Sequence, residues 1–272
     1  MRPTKPSNVP AGFSIGVLLN VTGDAIVVIL EVEKVAKNYG GLKVLMDISF
    51  RLKSGEKVAL IGPNGAGKTT LFNVLSGFVP LSSGKIRFLG REITHLPPET
   101  RASLGLARSF QISSLFPQMT VLNNVLLAIH GVQPTRYHMF RSITAYEDDL
   151  TRARELLQLV DLWNKRDSLI SALGHGEQRQ MEIILSLASQ PKLLLLDEPS
   201  AGLTSDESDK LIEMIHGLVA DTTVLLTAHD TDLVFTLAER VMVLYYGEII
   251  AQGTPEEIQN DPRVREIYLG SE

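Results

Sequence analysis

The sequence predicts an α/β fold with a mostly parallel central sheet, and three observations support this prediction. Apolar runs of strand length alternate with helical segments in the second half of the chain, which is typical of parallel strands covered on both faces. A glycine-rich loop near residue 65 lies between a predicted strand and a predicted helix. Residues 99–189 have mostly helical periodicity, which indicates a helical region inserted into this fold.

The glycine-rich loop, residues 62–70, fits the pattern G-x-x-x-x-G-K-[ST]. Its glycines let the backbone curl with N–H groups pointing inward, and the helix that follows presents its N-terminus, so the loop suits a phosphate group. Lys68 supplies a charge for the β- and γ-phosphates of a nucleotide, and the Thr69 hydroxyl is suited to bind Mg²⁺. The candidate nucleotide-binding residues are Gly62, Asn64, Gly65, Ala66, Gly67, Lys68, Thr69 and Thr70. A predicted strand at 57–61 and a predicted helix over 69–75 give the loop its usual context.

The other elements follow from apolar patterns and turn residues. Alternation of apolar and acidic residues over 30–35 predicts a half-exposed strand, and Gly40 with Gly41 predicts a turn after it. The remaining strands are predicted at 44–50, 85–89, 192–196, 224–226 and 241–244, and helices near 206–219 and 230–239. Trp163 is expected to pack inside the helical region, and residues 133–145 are expected to form a loop.

The composition restricts the class of protein. The 272 residues carry a formal net charge of -5, so no general basic field favours binding to nucleic acid. The chain has no cysteine, which excludes disulfides and thiolate metal sites and is compatible with a reducing cytosol. Residues 9–30 are rich in apolar residues but interrupted by polar ones, so we predict no membrane-spanning helix there. We therefore expect residues 1–25 to be a disordered extension and residues 26–272 to form the domain.

A second motif places two carboxylates directly after a buried strand. The apolar run 193–196 is followed by Asp197 and Glu198. Because parallel sheets bind ligands at the carboxyl ends of their strands, both side chains are expected near the phosphate-binding loop. Asp197 is expected to hold Mg²⁺ through water, and Glu198 to polarise the water that attacks the terminal phosphate. Together the two motifs predict an enzyme that hydrolyses a nucleotide.

The long separation between these two motifs is typical of one family of nucleotide-binding proteins. A small P-loop kinase or GTPase needs no long insertion between Lys68 and Asp197, whereas this chain has a helical region there. From about Ile29 to its C-terminus the chain resembles the ATP-binding subunits of ABC transporters. The resemblance implies ATP and Mg²⁺ as cofactors, an N-terminal antiparallel β subdomain, and a helical subdomain at roughly 99–189.

The resemblance also assigns residues outside the two motifs. Tyr39 lies where the family stacks an aromatic ring on adenine, Gln111 where a glutamine reaches Mg²⁺ and the attacking water, and His229 where a histidine senses the γ-phosphate. Residues 173–178 occupy the signature that closes over ATP held by the opposite subunit. The signature residues expected to contact that ATP are Gly174, Gly176 and Glu177. The expected catalytic residues are Glu198, His229 and Gln111, and the expected metal site consists of Thr69, Gln111 and Asp197.

Three positions depart from the family pattern. Gly174 replaces a serine of the signature, and Thr204 replaces an aspartate of the loop that crosses the dimer interface. Ala228 precedes His229 at a position where many relatives have an acid. These changes predict that the two ATP sites of a dimer with a different partner are unequal. Because Glu198 is present, we expect hydrolysis to be retained.

A closer resemblance is to the larger ATP-binding subunit of branched-chain amino-acid importers. It rests on residues 40–42, 109–112, 115–121, 253–258 and 268–270. The urea importer branch has similar segments, so urea or another small solute stays open as the transported substrate.

These resemblances imply partners and a location. We expect a second ATP-binding subunit, identical or different, integral membrane permease subunits and, indirectly, a solute-binding protein. The chain would then be a cytoplasmic protein, peripheral on the inner face of the cell membrane, with Phe116 exposed to contact a permease. A soluble ABC ATPase that acts on ribosomes or DNA is less favoured, because the chain has one cassette, no coiled coil and an acidic balance. A regulatory module without hydrolysis is disfavoured by Glu198 and His229.

Overall fold

The computed structural model describes residues 17–19, 25–109, 115–131, 147–218, 222–228 and 231–269. A central sheet among these residues has the spatial order β11 (Glu248–Gly253), β10 (Arg240–Tyr245), β4 (Lys57–Ile61), β9 (Thr223–Thr227), β8 (Leu193–Asp197) and β7 (Leu106–Arg108). β10 and β11 are antiparallel, and all other neighbours in this sheet are parallel. The predicted α/β fold with a mostly parallel sheet is confirmed.

A second sheet, from the N-terminal part of the chain, is antiparallel. Its strands are β1 (Val17–Leu19), β2 (Ala25–Tyr39), β3 (Leu42–Lys53), β5 (Ser83–Phe88) and β6 (Arg91–Glu92). The long strand β2 pairs with β1, β3 and β5, and Gly40 and Gly41 form the predicted turn between β2 and β3. β1 shows that the stretch 1–25, expected to be an extension, contains a short strand paired with β2.

Helices alternate with these strands along the chain. They are α1 (Lys68–Ser76), α2 (Pro98–Ser103), α3 (Val121–Gly131), α4 (Glu147–Leu159), α5 (His175–Leu187), α6 (Ser205–Leu218), α7 (Thr231–Leu237), α8 (Pro255–Asn260) and α9 (Pro262–Leu269). Short 3-10 helices lie at Trp163–Lys165 and Ile170–Ala172. None of the helices in the described part of the chain is both long enough and apolar enough to cross a membrane.

The expected helical region 99–189 is interrupted by a strand. β7 pairs in parallel with β8 and belongs to the central sheet, so the helices α3, α4 and α5 begin only after it. With three residues, one of them an arginine, β7 is too short for an apolar run to predict it. Trp163 packs against the core as expected, with the guanidinium groups of Arg154 and Arg166 at 4.8 and 4.9 Å from its ring. The predicted loop 133–145 lies outside the described residues.

Two apolar clusters flank the central sheet. All side chains of β8 are buried; Leu193 and Leu195 belong to one cluster, and Leu194 and Leu196 to the other, as the two-residue period of a strand requires. The first of these clusters contains α1 and strands of the antiparallel sheet, whereas the second contains residues of α3 to α7. α1 therefore lies between the two sheets, directly after the loop that follows β4.

Arg101 on α2 fixes the C-terminal end of α1. Arg101 is 2% exposed, and its guanidinium donates to the carbonyl oxygens of Val74 and Leu75 at 2.8 and 2.6 Å. It also donates to the carbonyl oxygens of Leu96 and Thr94 at 2.9 and 3.1 Å. Burial lowers the pKa of Arg101 to about 10, so the group remains a cation at neutral pH. A cation at this end complements the helix dipole.

Candidate functional site

The loop between β4 and α1 has a backbone that only glycine adopts without strain. Gly62 has a φ of 155°, and a Cβ there would lie 2.1 Å from the carbonyl oxygen of Leu244. Gly67 has a φ of 110°, and a Cβ there would lie 3.0 Å from the carbonyl oxygen of Val44. A Cβ on Gly65 would meet no atom within 4 Å, so that side of the loop is open. The loop is thus packed on one side and open on the other, as a phosphate cradle must be.

Lys68, the first residue of α1, is buried beneath this loop. Its Nζ donates to the carbonyl oxygens of Gly62 at 2.5 Å and Pro63 at 3.2 Å. Burial lowers the pKa of Lys68 below its ordinary value, while Glu198 and Asp197 raise it in part. Lys68 therefore lies within electrostatic reach of both predicted carboxylates. An anion at the start of α1 would relieve the cost of burying this cation.

Asp197 ends β8 and is held by two side chains that the sequence did not single out as functional. Arg108 at the end of β7 donates to its Oδ2 at 2.8 Å, and Thr227 at the end of β9 donates to its Oδ1 at 2.8 Å. The ion pair is buried, with Arg108 8% and Asp197 1% exposed. Arg108 also donates to Asn73 Oδ1 and Ser76 Oγ on α1. Asp197 is therefore fixed relative to three neighbouring elements.

Glu198 follows Asp197 with a backbone in the left-handed region, at a φ of 48°. Its N–H donates to the carbonyl oxygen of Thr227 at 3.1 Å and to the Thr227 hydroxyl at 2.9 Å. Its own carbonyl oxygen accepts a hydrogen bond from Arg179. Left-handed residues other than glycine are uncommon and tend to occur at functional sites.

The signature segment lies at the start of α5. Gly174 precedes the helix and its N–H donates to Glu177 Oε2 at 3.1 Å, while Lys165 donates to Glu177 Oε1 at 2.5 Å. Hydrogen bonds from Thr204 lower the pKa of Glu207, and His175 and the Gly176 N–H contribute to the same shift. The carboxylate of Glu207 thus lies beside the signature helix, a neighbour that sequence spacing gave no reason to expect.

The other predicted site residues differ in exposure, and two of them lie outside the described part of the chain. Tyr39 is exposed at the end of β2, with the Lys37 ammonium 4.7 Å from its ring centroid. Asn64 and Thr69 are exposed, and Ala66 is buried. Gln111 and His229 lie outside the described residues. The geometry brings together the loop, Lys68, Asp197 and Glu198.

A phosphate cradle between β4 and α1, with two carboxylates at the carboxyl end of β8, defines a P-loop nucleotide hydrolase. Residues 45–201 match the ABC transporter family, and residues 248–272 match a family described as branched-chain amino acid ATP-binding cassette transporter. This chain belongs to the ABC transporter family, and within it to the importer-type ATPases.

Individual relatives agree with this assignment. The high-affinity branched-chain amino acid transport ATP-binding protein LivG of Salmonella typhimurium is 39% identical over 251 residues, which cover 89% of this chain and 98% of the relative. The protein BraF of Pseudomonas aeruginosa, described in the same terms, is 36% identical over 249 residues, 89% of this chain and 98% of the relative. A crystal structure of the ADP conformation of an ATP-binding cassette of an ABC transporter is 31% identical, with a TM-score of 0.79 and coverage of 89% of this chain and 99% of that chain. The family, the fold and the ATPase activity predicted from the sequence are confirmed.

Proposed function

We propose that this chain is the ATP-hydrolysing motor subunit of an importer that takes up branched-chain amino acids. The substrate class is supported by the C-terminal match, residues 248–272, to a family named for branched-chain amino acids. The transported molecule is expected to contact other subunits, because this chain contributes the ATPase alone. ATP binding would close two such subunits over the nucleotides, hydrolysis would let them separate, and this cycle would drive the membrane subunits through alternating access.

The roles of the site residues are part of this proposal. The loop residues Gly62 to Thr70 hold the phosphates, with Lys68 on the β- and γ-phosphates. Asp197 and Thr69, with Gln111, would hold a magnesium ion, which supplies charge neutralisation on the phosphates when bound. Each oxygen of Asp197 already accepts a hydrogen bond from this chain, which suits contact with the ion through water. Glu198 orients the attacking water and accepts its proton.

The signature residues are proposed to act in a dimer. Gly174, Gly176 and Glu177 would face ATP held by a second ATP-binding subunit, and Tyr39 would stack on the adenine of this chain's own ATP. His229 would contact the γ-phosphate. With glycine at position 174, a serine hydroxyl is missing, and a backbone N–H and the N-terminus of α5 remain for that phosphate.

A groove beside the ATP site supports the proposed contact with a permease. It has a volume of about 440 Å³ and lies between α2, α3 and α5. Phe116 lines it and is 52% exposed, as expected from the sequence, while Leu115 beside it is buried. An exposed aromatic ring at the edge of an apolar groove is typical of a protein contact site. We propose that a short helix of the permease occupies this groove and keeps the chain at the inner face of the membrane.

Uptake by cells tests the proposed substrate. A strain lacking this chain is expected to lose energy-dependent uptake of labelled leucine at low concentration, and the wild-type chain should restore it. Labelled urea, measured in the same cells, provides the second arm. Loss of urea uptake with normal uptake of leucine, isoleucine and valine would assign the chain to the urea branch instead.

Replacing Phe116 tests the proposed permease contact. Because aromatic anchors carry much of an interface's binding energy, Phe116→Ala is expected to lower leucine uptake at least about tenfold while basal ATPase activity stays within about twofold of wild type. Phe235→Ala is the matched control, since Phe235 is also exposed, at 43%, and lies on α7 outside the groove. Equal uptake by the two variants would contradict the contact.

A further inference from the structure

Arg179 on α5 binds the backbone around the proposed catalytic glutamate. Its Nη2 donates to the carbonyl oxygen of Glu198 at 2.6 Å, and its Nε donates to the carbonyl oxygen of Pro199 at 2.9 Å. Its Nη1 donates to Glu182 Oε2 at 2.6 Å, and the side chains of Arg179 and Glu182 are only 12% and 9% exposed. Because a guanidinium holds its donors in one rigid plane, these bonds fix two successive carbonyl groups relative to α5.

The backbone that Arg179 binds is one that needs support. The left-handed conformation of Glu198 is unfavourable for a residue with a side chain and persists only where the surrounding structure determines it. On one side Thr227 accepts the Glu198 N–H through both its carbonyl and its hydroxyl oxygen. On the other side Arg179 holds the Glu198 carbonyl. β9 therefore binds the N–H of Glu198 and α5 binds its carbonyl oxygen, so the direction of the Glu198 side chain depends on both elements.

We infer that Arg179 is a positioning residue for hydrolysis, which holds Glu198 in the backbone conformation that aims its carboxylate at the attacking water. This inference rests on the proposed role of Glu198. Glu182 orients Arg179 and also lines the groove that contains Phe116, so Arg179 lies between that groove and Glu198. α5 begins at the signature, so the same helix carries both the signature and the support of Glu198.

Steady-state kinetics of the full-length chain test the inference. Since a small misplacement of a catalytic group lowers turnover strongly, Arg179→Met is expected to lower kcat about 10- to 100-fold. The KM for ATP and the affinity for trinitrophenyl-ATP should stay within about threefold of wild type, because Arg179 contacts no residue of the phosphate loop in its described hydrogen bonds. Arg179→Lys keeps the charge but not the planar guanidinium, so its kcat should lie between those of wild type and Arg179→Met. Glu182→Gln keeps one acceptor for Nη1 and should have a smaller effect than Arg179→Met.

A matched control separates positioning from a general loss of structure. Arg152 forms an ion pair with Glu155 at the same i,i+3 spacing on α4, at 3.3 Å, and Arg152→Met should leave kcat and KM unchanged. A normal kcat for Arg179→Met would overturn the inference. So would a parallel loss of kcat, nucleotide affinity and melting temperature, because a purely structural role predicts that pattern. The variant Glu198→Gln separates a failure of the inference about Arg179 from a failure of the proposed role of Glu198. If Glu198→Gln hydrolyses ATP normally, the proposed role of Glu198 fails. If Glu198→Gln is impaired and Arg179→Met is normal, only the inference about Arg179 fails.

Discussion

Glu198→Gln is expected to bind ATP with near-normal affinity and to hydrolyse it about 10²- to 10⁴-fold more slowly, the range for removal of a general base. The substitution keeps the shape of the side chain and removes its ability to accept a proton. The backbone hydrogen bonds that fix the residue, donated by its N–H to Thr227 and accepted by its carbonyl from Arg179, do not depend on the carboxylate. The loss should therefore appear in kcat, measured by phosphate release. Because ATP binds but persists, the variant should also form a nucleotide-dependent dimer in size-exclusion chromatography.

A control shows whether the loss belongs to this one carboxylate. Glu213 is an exposed glutamate on α6, and Glu213→Gln changes the net charge in the same way. This control is expected to hydrolyse ATP at the wild-type rate. Steady-state hydrolysis by Glu198→Gln close to that of Glu213→Gln would remove Glu198 from its proposed role.

The phosphate loop and the carboxylates after β8 could be predicted from the sequence because each is a contiguous motif. In residues 62–70 the local sequence itself determines the backbone, since Gly62 and Gly67 occupy conformations that other residues avoid. The uninterrupted apolar run before Asp197 indicates a strand buried on both faces, and such a strand must end at the ligand-binding edge of its sheet. The roles of Gln111 and His229 stay predictions, because both residues lie outside the described part of the chain.

The side chains that hold the site could not be predicted in this way. Arg108 and Asp197 are 89 positions apart, and Arg179 and Glu198 are 19 positions apart, so no local pattern relates either pair. Such contacts depend on how β7, β8 and α5 pack together. Sequence periodicity places both arginines in a mostly helical region and does not indicate that either is enclosed, yet the side chains of Arg108 and Arg179 are only 8% and 12% exposed. Their burial becomes apparent only when the tertiary structure supplies the carboxylates and carbonyl groups that satisfy them.

Arg101 is another buried arginine that donates to backbone carbonyl groups, and its replacement is expected to have the second large effect, on stability. Arg101→Met is expected to lower the free energy of unfolding by about 3 kcal/mol, since buried carbonyl groups that lose their donor cost about 1–3 kcal/mol each and the removal of a buried charge offsets part of that loss. Four carbonyl oxygens, those of Val74, Leu75, Thr94 and Leu96, would lose the arginine as a donor, and that of Val74 would keep the Gly77 N–H at 3.2 Å. Two of them are at the C-terminal end of α1, the helix that carries Lys68 at its start.

Urea denaturation measures this effect, with Arg91→Met as the matched control because Arg91 is an exposed arginine on the neighbouring strand β6. The control should change the free energy of unfolding by less than about 0.5 kcal/mol, as surface substitutions usually do. Arg101→Lys retains the charge but has a single nitrogen to reach four oxygens, so its stability should lie between those of wild type and Arg101→Met. If Arg101→Met unfolds at the same urea concentration as the control, the arginine does not hold the end of α1. A loss in stability with normal ATP affinity at low temperature would show that this support acts on the fold and leaves the phosphate loop intact.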